Sequence, residues 1–115
     1  MRKGFTLNLP LPLHSGDSEY LEVLKSKALP RLRQFAPQLV FISAGFDAHE
    51  KDLLAQMKVT RQGYRDMGQL ILDLAQETAS GRLITVLEGG YNLEVLEECV
   101  KDHVRLLLGI PFDHF

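Results

Sequence analysis

The stretch LVFISAGFDAH, residues 39–49, decides the fold of this chain. Residues 39–43 form a largely apolar run with a proline before it and a glycine after it, and such a run predicts a strand buried on both faces, as in a parallel sheet. Asp47 and His49 follow where that strand ends. Ligands of parallel α/β sheets bind beyond the carboxyl ends of the strands, so the stretch predicts both a fold class and a place for chemistry.

Strands and helices alternate along the rest of the chain. Residues 5–9 alternate apolar and polar side chains, which predicts a first, half-buried strand, and the apolar residues 83–87 predict a third strand. We expect Pro30 to kink or divide the first helix. Apolar residues at helical spacing predict three helices, which begin after Asp17 or Ser18, after Thr60 and after Asn92.

This order predicts an α/β fold with a mostly parallel sheet of about three strands alternating with three helices, in one domain that spans residues 1–115. The loops that contain Asp47 and Tyr91 both follow strands, so we expect them at the same rim of the sheet. Apolar strands need cover on both faces, and so few helices should leave part of the sheet exposed. The chain is therefore expected to be the end of a larger sheet or half of an oligomer.

Composition excludes several classes of protein. Thirteen basic and fifteen acidic side chains give a net charge of −2, which offers no electrostatic basis for direct binding of nucleic acid or of a membrane surface. No apolar run approaches the ~18 residues of a membrane span, and no signal-peptide pattern stands at the start. The single cysteine, Cys99, excludes an internal disulfide and predicts a soluble protein of the reducing cytoplasm.

Asp47 has two interpretations. Its carboxylate suits a divalent metal ion, but aspartates in loops more often accept hydrogen bonds from nearby backbone amides. His49 completes an Asp-x-His triplet, which provides half of a zinc site, although two ligands are too few for a stable one. We expect His14 and His114 to be solvated and His103 to be packed and hydrogen-bonded in the core.

The turn after the third predicted strand carries a second group of candidates. Gly89 and Gly90 permit close approach of the backbone to a ligand, although paired glycines also mark ordinary tight turns. The phenol of Tyr91 can donate a hydrogen bond to an oxyanion, or its ring can pack over the sheet. Glu88 is either a second acid of the site or an anchor of the turn. Cys99 falls on a buried helix face and is not expected to be a nucleophile.

Together, residues 39–49 and the segment LEGGYN, residues 87–92, resemble the carboxy-terminal part of the histone deacetylase superfamily, nearest to its class II and bacterial amidohydrolase-like branch. The resemblance extends from the first predicted strand through the last helix. It implies an arginase-like, deacetylase-like α/β fold. It also implies a zinc-dependent amidohydrolase that removes acetyl or related acyl groups from lysine or other amines.

The resemblance implies roles for individual residues. Asp47 matches one of three protein ligands to zinc, and Tyr91 matches the tyrosine that hydrogen-bonds the substrate carbonyl and then the oxyanion. Leu54 matches a residue that lines the acyl-lysine channel, and Gly89 and Gly90 are predicted to contact the substrate. The family's Asp-x-His pair of ligands lies in an earlier segment, so the triplet in this chain is predicted to be a coincidence.

Departures from the family pattern limit what this chain can do. The other two zinc ligands and the adjacent histidines that act as general base and acid have no match here, since the chain contains no His-His pair. Leu53 stands where the family usually has a proline. Amide hydrolysis needs activated water, a base and oxyanion stabilisation, so the chain alone is predicted to be inactive.

Three hypotheses result. The first is the carboxy-terminal portion of a deacetylase-like hydrolase, truncated or split, whose site is completed by an amino-terminal segment and whose substrate is an acetylated lysine or other acetylated amine. The second is a non-catalytic remnant that serves as an interaction or oligomerisation module. The third is an independent metal site formed by Asp47 and His49 across a dimer interface.

Overall fold

The computed structural model describes residues 4–113, and within that range it has helices on one side of a small sheet. His114 lies outside the described residues. The elements in chain order are α1 (Asp17–Val23), a π-helical turn (Leu24–Ala28), α2 (Leu29–Phe35), β1 (Val40–Ala44), α3 (Arg61–Thr78), β2 (Leu83–Leu87) and α4 (Leu93–Leu108).

The sheet consists of β1 and β2, which run parallel. Val40 lies opposite Leu83 and Ala44 lies opposite Leu87, so the two strands end at the same level. The predicted strand at 83–87 is confirmed, and the one predicted at 39–43 is found one residue later. The helix α3 connects the two strands, as a parallel pair requires. The α/β class with a small parallel sheet is therefore confirmed.

The first predicted strand, at residues 5–9, is wrong. Among residues 4–113 the only strands are β1 and β2, so the sheet has two strands rather than about three. The segment packs against α2 instead, with the Phe5 and Phe35 rings edge to face at 6.2 Å. Alternating side chains predict an extended segment with one apolar face, but a strand also needs a neighbouring strand edge, and that partner is not encoded locally.

The first helical run is continuous from α1 to α2, and Pro30 disturbs it as predicted. Pro30 lies in the first turn of α2, directly after the π-helical turn. The Leu29 amide donates to the carbonyl of Leu24, one residue further back than in an α-helix. A wider turn here makes room for the ring of Pro30, which has no amide hydrogen to donate to the preceding turn. The run ends at Ala36, which adopts a left-handed conformation (φ 55°) just before Pro37.

The helices α1 and α3 begin at a shared junction. The Thr60 side chain caps α3 by accepting from the Gly63 amide at 3.1 Å, as predicted for a cap. The Asp17 carboxylate accepts from the Thr60 amide at 2.8 Å and from its hydroxyl at 2.5 Å. A Cβ atom at Gly63 would collide with this carboxylate. The junction therefore fixes where α3 leaves the loop after β1.

The helix α4 packs against β1 through an apolar cluster that contains Ala44, Phe46, Val95 and Cys99. Burial raises the pKa of the Cys99 thiol to about 11, which agrees with a packing role. His103 is partly buried and shares a 2.7 Å hydrogen bond with the Thr85 hydroxyl, so the prediction of a packed, hydrogen-bonded histidine is confirmed.

A buried carboxylate joins α3 to α4. Asp102 is almost fully buried and accepts hydrogen bonds from Arg61, Arg65 and Arg105 at 2.6–3.2 Å. Burial alone raises the pKa of Asp102, but the hydrogen bonds from Arg61 and Arg65 outweigh it, and the pKa falls to about 2. The carboxylate is therefore ionised at neutral pH and clamps the two helices together.

One face of the sheet is exposed. Ala44 and Ile42 of β1 belong to the cluster with α4, whereas Phe41 points to the opposite side and is 63% exposed. Ile84 and Val86 of β2 are exposed on that same side. Burial on both faces is therefore wrong within the described residues, while the expectation of exposed apolar sheet is confirmed.

The helices of the described part of the chain are not of the kind that spans a membrane. Between residues 4 and 113, none is both long and apolar enough to cross a bilayer. The cytoplasmic location inferred from the single cysteine stays a prediction.

Candidate active site

The loops after β1 and β2 meet at the carboxyl ends of the two strands. The Glu88 amide donates to the Ala44 carbonyl, and the Phe46 amide donates to the Gly89 carbonyl, each at 2.9 Å. These bonds continue the parallel ladder into the loops, because both strands end in register. The two loops that the sequence singled out are thus neighbours at one rim.

The carboxylate of Asp47 lies in a cradle formed by two glycines. A Cβ atom at Gly45 would lie 2.8 Å from Asp47 Oδ1, and one at Gly89 would lie 3.1 Å from Asp47 Cγ and Oδ2. A side chain at either glycine would therefore press on the carboxylate. Gly89 thus lies against Asp47, and the expectation that it contacts a substrate stays a prediction.

The Asp47 carboxylate accepts no hydrogen bond from any group within residues 4–113. It is partly exposed at the rim. The interpretation of Asp47 as a loop aspartate that accepts backbone amides therefore lacks its donors in the described part of the chain. A carboxylate that no amide engages retains its lone pairs for a cation.

Tyr91 stands on the loop after β2, and its side chain is exposed. The residue is 62% exposed, so the ring does not pack over the sheet. Its amide donates a 2.8 Å hydrogen bond to Asp52 Oδ2. Gly90 before it has φ 149°, and a Cβ atom there would lie 2.8 Å from Leu96 Cδ1, so this position favours glycine on both grounds.

Leu54 is exposed on the loop after β1. Its amide donates at 3.2 Å to Asp52 Oδ1, and the Asn92 side-chain amide donates at 3.0 Å to the Lys51 carbonyl. Side chains of both loops therefore tie the rim together. The Glu88 carboxylate accepts a 3.1 Å hydrogen bond from the hydroxyl of Ser43, a residue of β1.

The loop after β1 also has a backbone frame. The Lys58 amide donates to the Ser15 carbonyl at 2.8 Å, and the His14 amide donates to the Gln56 carbonyl at 3.0 Å. Within the loop, the Val59 amide donates to the Ala48 carbonyl at 3.0 Å. The segment just before α1 thus forms one side of this loop.

His49 is a packed residue in the described structure. It is 4% exposed, its Nδ1 accepts from the Lys51 amide at 3.1 Å, and its ring is parallel to that of Tyr64 at 6.5 Å. Burial lowers the pKa of His49. The neutral imidazole is favoured, and one of its two nitrogens is already engaged. His14, in contrast, is exposed, as predicted.

The described residues fit zinc in part. Asp47 offers an oxygen ligand without a competing donor, which suits zinc. A catalytic zinc site usually needs three protein ligands, and within residues 4–113 no group of three or more His, Cys, Asp or Glu side chains is placed to hold a metal. Asp47 could therefore serve as one ligand of such a site.

Asp52 is the site residue that the sequence analysis did not identify. It is 3% exposed and contacts both loops, yet the sequence analysis drew no role from it. An aspartate in a turn often accepts from the amide two residues on, so its bond to Leu54 was predictable. Its bond to Tyr91 spans 39 positions and had no local signal.

Comparisons with known proteins agree with this architecture. The histone deacetylase domain family matches residues 1–107. "Histone deacetylase 14, chloroplastic" of Arabidopsis thaliana is 44% identical over 107 residues, which are 93% of this chain and 25% of that protein. The "Histone deacetylase-like amidohydrolase" of Pseudomonas aeruginosa is 36% identical over 108 residues, which are 94% of this chain and 28% of that protein.

Solved structures show the same relationship. The structure of the histone deacetylase Clr3 matches with a TM-score of 0.84 and 34% identity, over 94% of this chain and 18% of that chain. The crystal structure of the HDA15 HD domain matches with a TM-score of 0.84 and 36% identity, over 92% of this chain and 29% of that chain.

A parallel α/β unit with an acid and an exposed tyrosine at one rim defines the class of protein as an α/β domain of the kind whose ligands bind beyond the strand ends. The match over residues 1–107 identifies that domain: the chain belongs to the histone deacetylase family. It spans about a quarter of the length of the curated relatives described above, 25% and 28%.

Proposed function

We propose that this chain is the carboxy-terminal portion of a zinc-dependent deacetylase-like amidohydrolase, which removes acetyl or other acyl groups from lysine or another amine. The observation that carries the proposal is the Asp47 carboxylate, which lies against Gly89 at the ends of two parallel strands without a hydrogen-bond donor among residues 4–113. Tyr91 stands on the adjoining loop, two residues from Gly89.

Each rim residue has a part in this proposal. Asp47 would hold zinc, and zinc when bound would supply Lewis-acid activation of water and of the substrate carbonyl. The exposed phenol of Tyr91 donates a hydrogen bond to the carbonyl oxygen and retains it as negative charge develops there. The exposed Leu54 contacts the apolar stem of the acylated amine, and Gly89 with Gly90 lets the substrate approach the backbone.

The remaining chemistry would come from an amino-terminal segment. Two further zinc ligands and a general base are needed for amide hydrolysis, and His49, two residues after Asp47 in the sequence, is buried against Tyr64. The chain alone is therefore proposed to be inactive. Its exposed sheet face, around Phe41 and Val86, would be covered in the completed domain.

The test combines this chain with the separately expressed amino-terminal segment of a similar deacetylase. We expect zinc, measured by elemental mass spectrometry, and deacetylation of an acetyl-lysine peptide only in the mixture. Asp47→Asn should abolish both zinc retention and activity. Tyr91→Phe should keep zinc and lower kcat by ~10²–10³-fold, the usual cost of losing one oxyanion donor.

Glu50→Gln is the matched control, because it removes an exposed acid from the same loop. Its zinc content and activity should equal those of the unmodified mixture. If Asp47→Asn and Tyr91→Phe both retained the restored activity, the proposed roles would be wrong.

The exposed sheet face favours a second candidate function, an interaction or oligomerisation module without catalysis. Phe41, Ile84 and Val86 form an apolar surface of the kind that marks interfaces. This candidate predicts a stable oligomer of the chain alone by light scattering, with no activity in any mixture. A monomer that becomes active when mixed would contradict it.

A further inference from the structure

Asp52 lies beneath the rim and contacts both of its loops. Its Oδ2 accepts from the Tyr91 amide at 2.8 Å, and its Oδ1 accepts from the Leu54 amide at 3.2 Å. Its own amide donates to the His49 carbonyl at 2.9 Å. One carboxylate therefore links the residue proposed to stabilise the oxyanion to the residue proposed to line the channel.

The burial of Asp52 means that its carboxylate needs hydrogen-bond donors from the protein. Asp52 is 3% exposed, and a buried carboxylate is costly unless hydrogen bonds replace the lost water. Here the replacements are backbone amides at two separate places in the chain, and bonds from N–H groups to a carboxylate are stronger than those between neutral groups. The two loops must keep their relative position for both bonds to persist.

The turn before Tyr91 would otherwise leave that residue weakly fixed. Gly89 and Gly90 precede it, and glycine restricts the backbone least. The Tyr91 side chain is exposed and cannot be held by packing. The position of its phenol therefore depends on how the backbone is held here: Asn92 after it is bonded to the Lys51 carbonyl, and the amide of Tyr91 itself is held by the Asp52 carboxylate.

We infer that Asp52 is a positioning residue, which sets the place of the Tyr91 phenol by holding its backbone amide and couples it to the channel wall at Leu54. The inference about the phenol rests on the proposed function, whereas the two hydrogen bonds of Asp52 to the Tyr91 and Leu54 amides do not depend on it. Asp52 contacts no reacting atom in this account. It acts through Tyr91.

The tie is tested first in the 115-residue chain, by amide hydrogen exchange measured with NMR. In the unmodified chain the Tyr91 and Leu54 amides should be protected, and in Asp52→Ala they should exchange about 10-fold faster or more, the scale expected for loss of a bond to a charged group. The Gly63 amide, bonded to Thr60, should be unchanged in the same variant. Fast exchange at Tyr91 in the unmodified chain would overturn the inference whether or not the variant folds.

The consequence for the phenol is tested by a double-mutant cycle in the active mixture. Asp52→Asn should lower kcat by about 10-fold when Tyr91 is present, and by less than about 2-fold in a Tyr91→Phe background, because the phenol to be positioned is then gone. Glu50→Gln should leave kcat unchanged in both backgrounds.

The outcomes separate this inference from the proposed function. An equal loss in both backgrounds would make Asp52 a merely structural residue and overturn its positioning role. If Tyr91→Phe itself cost nothing, the proposed role of Tyr91 would fail, and the inferred effect on its phenol with it. The exchange measurement would still decide whether Asp52 holds the loops together.

Discussion

At the scale of the residue, a substitution at Gly89 should affect the candidate site without destabilising the fold. A methyl group at this position would lie 3.1–3.2 Å from the atoms of the Asp47 carboxyl group. Gly89 does not have a positive φ, so its backbone accepts alanine without strain. We expect Gly89→Ala to displace the carboxylate and to lower zinc affinity in the active mixture by about 10-fold or more, with little change in Tm. Zinc titration and thermal unfolding measure the two effects.

Gly81→Ala is the opposite control. Gly81 has φ 77° and open space around it, so alanine there adds backbone strain of about 1 kcal/mol but touches nothing. It should lower Tm and leave zinc affinity unchanged. Equal zinc affinity in Gly89→Ala and the unmodified chain would show that the cradle does not position Asp47.

Residue-level prediction from sequence succeeded where a strand end alone fixes the position. Asp47 and Tyr91 follow strands whose apolar runs are unmistakable, so their place at one rim was predictable. The cradle and the Asp52 tie were not, because each joins atoms from distant parts of the chain. Periodicity reports which way a side chain faces, not which distant group it contacts.

At the scale of the element, Asp102 and its three arginines hold α3 and α4 together, and a substitution at Asp102 tests how much they contribute to stability. Asp102→Asn leaves three arginines without their common anion. We expect the variant to lose about 3 kcal/mol of unfolding free energy near neutral pH, the lower end of the cost of breaking a buried ion pair. Urea unfolding measures it, with Glu97→Gln as control. Glu97 pairs with Lys101 on the exposed side of α4, and its loss should cost about 0.5 kcal/mol or less.

The clamp also makes stability depend on pH. The pKa of Asp102 is lowered from 3.8 to about 2 in the folded chain, so the unfolded chain binds the proton more readily. The contribution of ionised Asp102 to the free energy of unfolding is fully present above pH 3.8, the pKa of the unfolded chain, and is lost as the pH falls toward 2. The stability difference between the unmodified chain and Asp102→Asn should therefore narrow below a pH of 3.8, and a constant difference would contradict this account.

The starts of α3 and α4 followed from local signals, whereas the predicted start of α1 after Asp17 or Ser18 is wrong, since α1 begins at Asp17 and its N-cap is Gly16. Thr60 and Asn92 were sufficient to place the starts of α3 and α4. The disturbance at Pro30 was also predictable, although its form, a π-helical turn, depends on how the helix packs. The strand predicted at residues 5–9 failed because pairing needs a second strand, which no local pattern supplies.

At the scale of the whole molecule, the exposed sheet face should govern how the isolated chain behaves. Phe41 and Val86 project from neighbouring strands on that face. We expect the chain to associate with increasing concentration, since association removes this surface from water. Replacing both residues by threonine should shift sedimentation toward the monomer without unfolding the chain, because threonine suits an exposed strand.

Leu108→Gln is the control for general hydrophobicity, because Leu108 is similarly exposed but lies at the end of α4. It should sediment like the unmodified chain. Unchanged sedimentation of the Phe41→Thr, Val86→Thr double variant would show that another surface drives association. At this scale the sequence predicted that part of the apolar sheet would be exposed. It could not predict what covers that surface, because a partner or a further segment is not encoded in the pattern of this chain.

The frame around the loop after β1 has a consequence for how such a protein can change over evolutionary time. Residues 14–16 hold that loop through peptide groups, with bonds from Lys58 to Ser15 and from His14 to Gln56. These bonds join peptide groups and involve no side chain of the exposed rim, so the path of the loop does not depend on the identity of residues such as Leu53 and Leu54. Exposed positions such as Leu53 and Leu54 can change on an unchanged scaffold, so under the proposed function mutation would alter the preferred acyl chain one residue at a time.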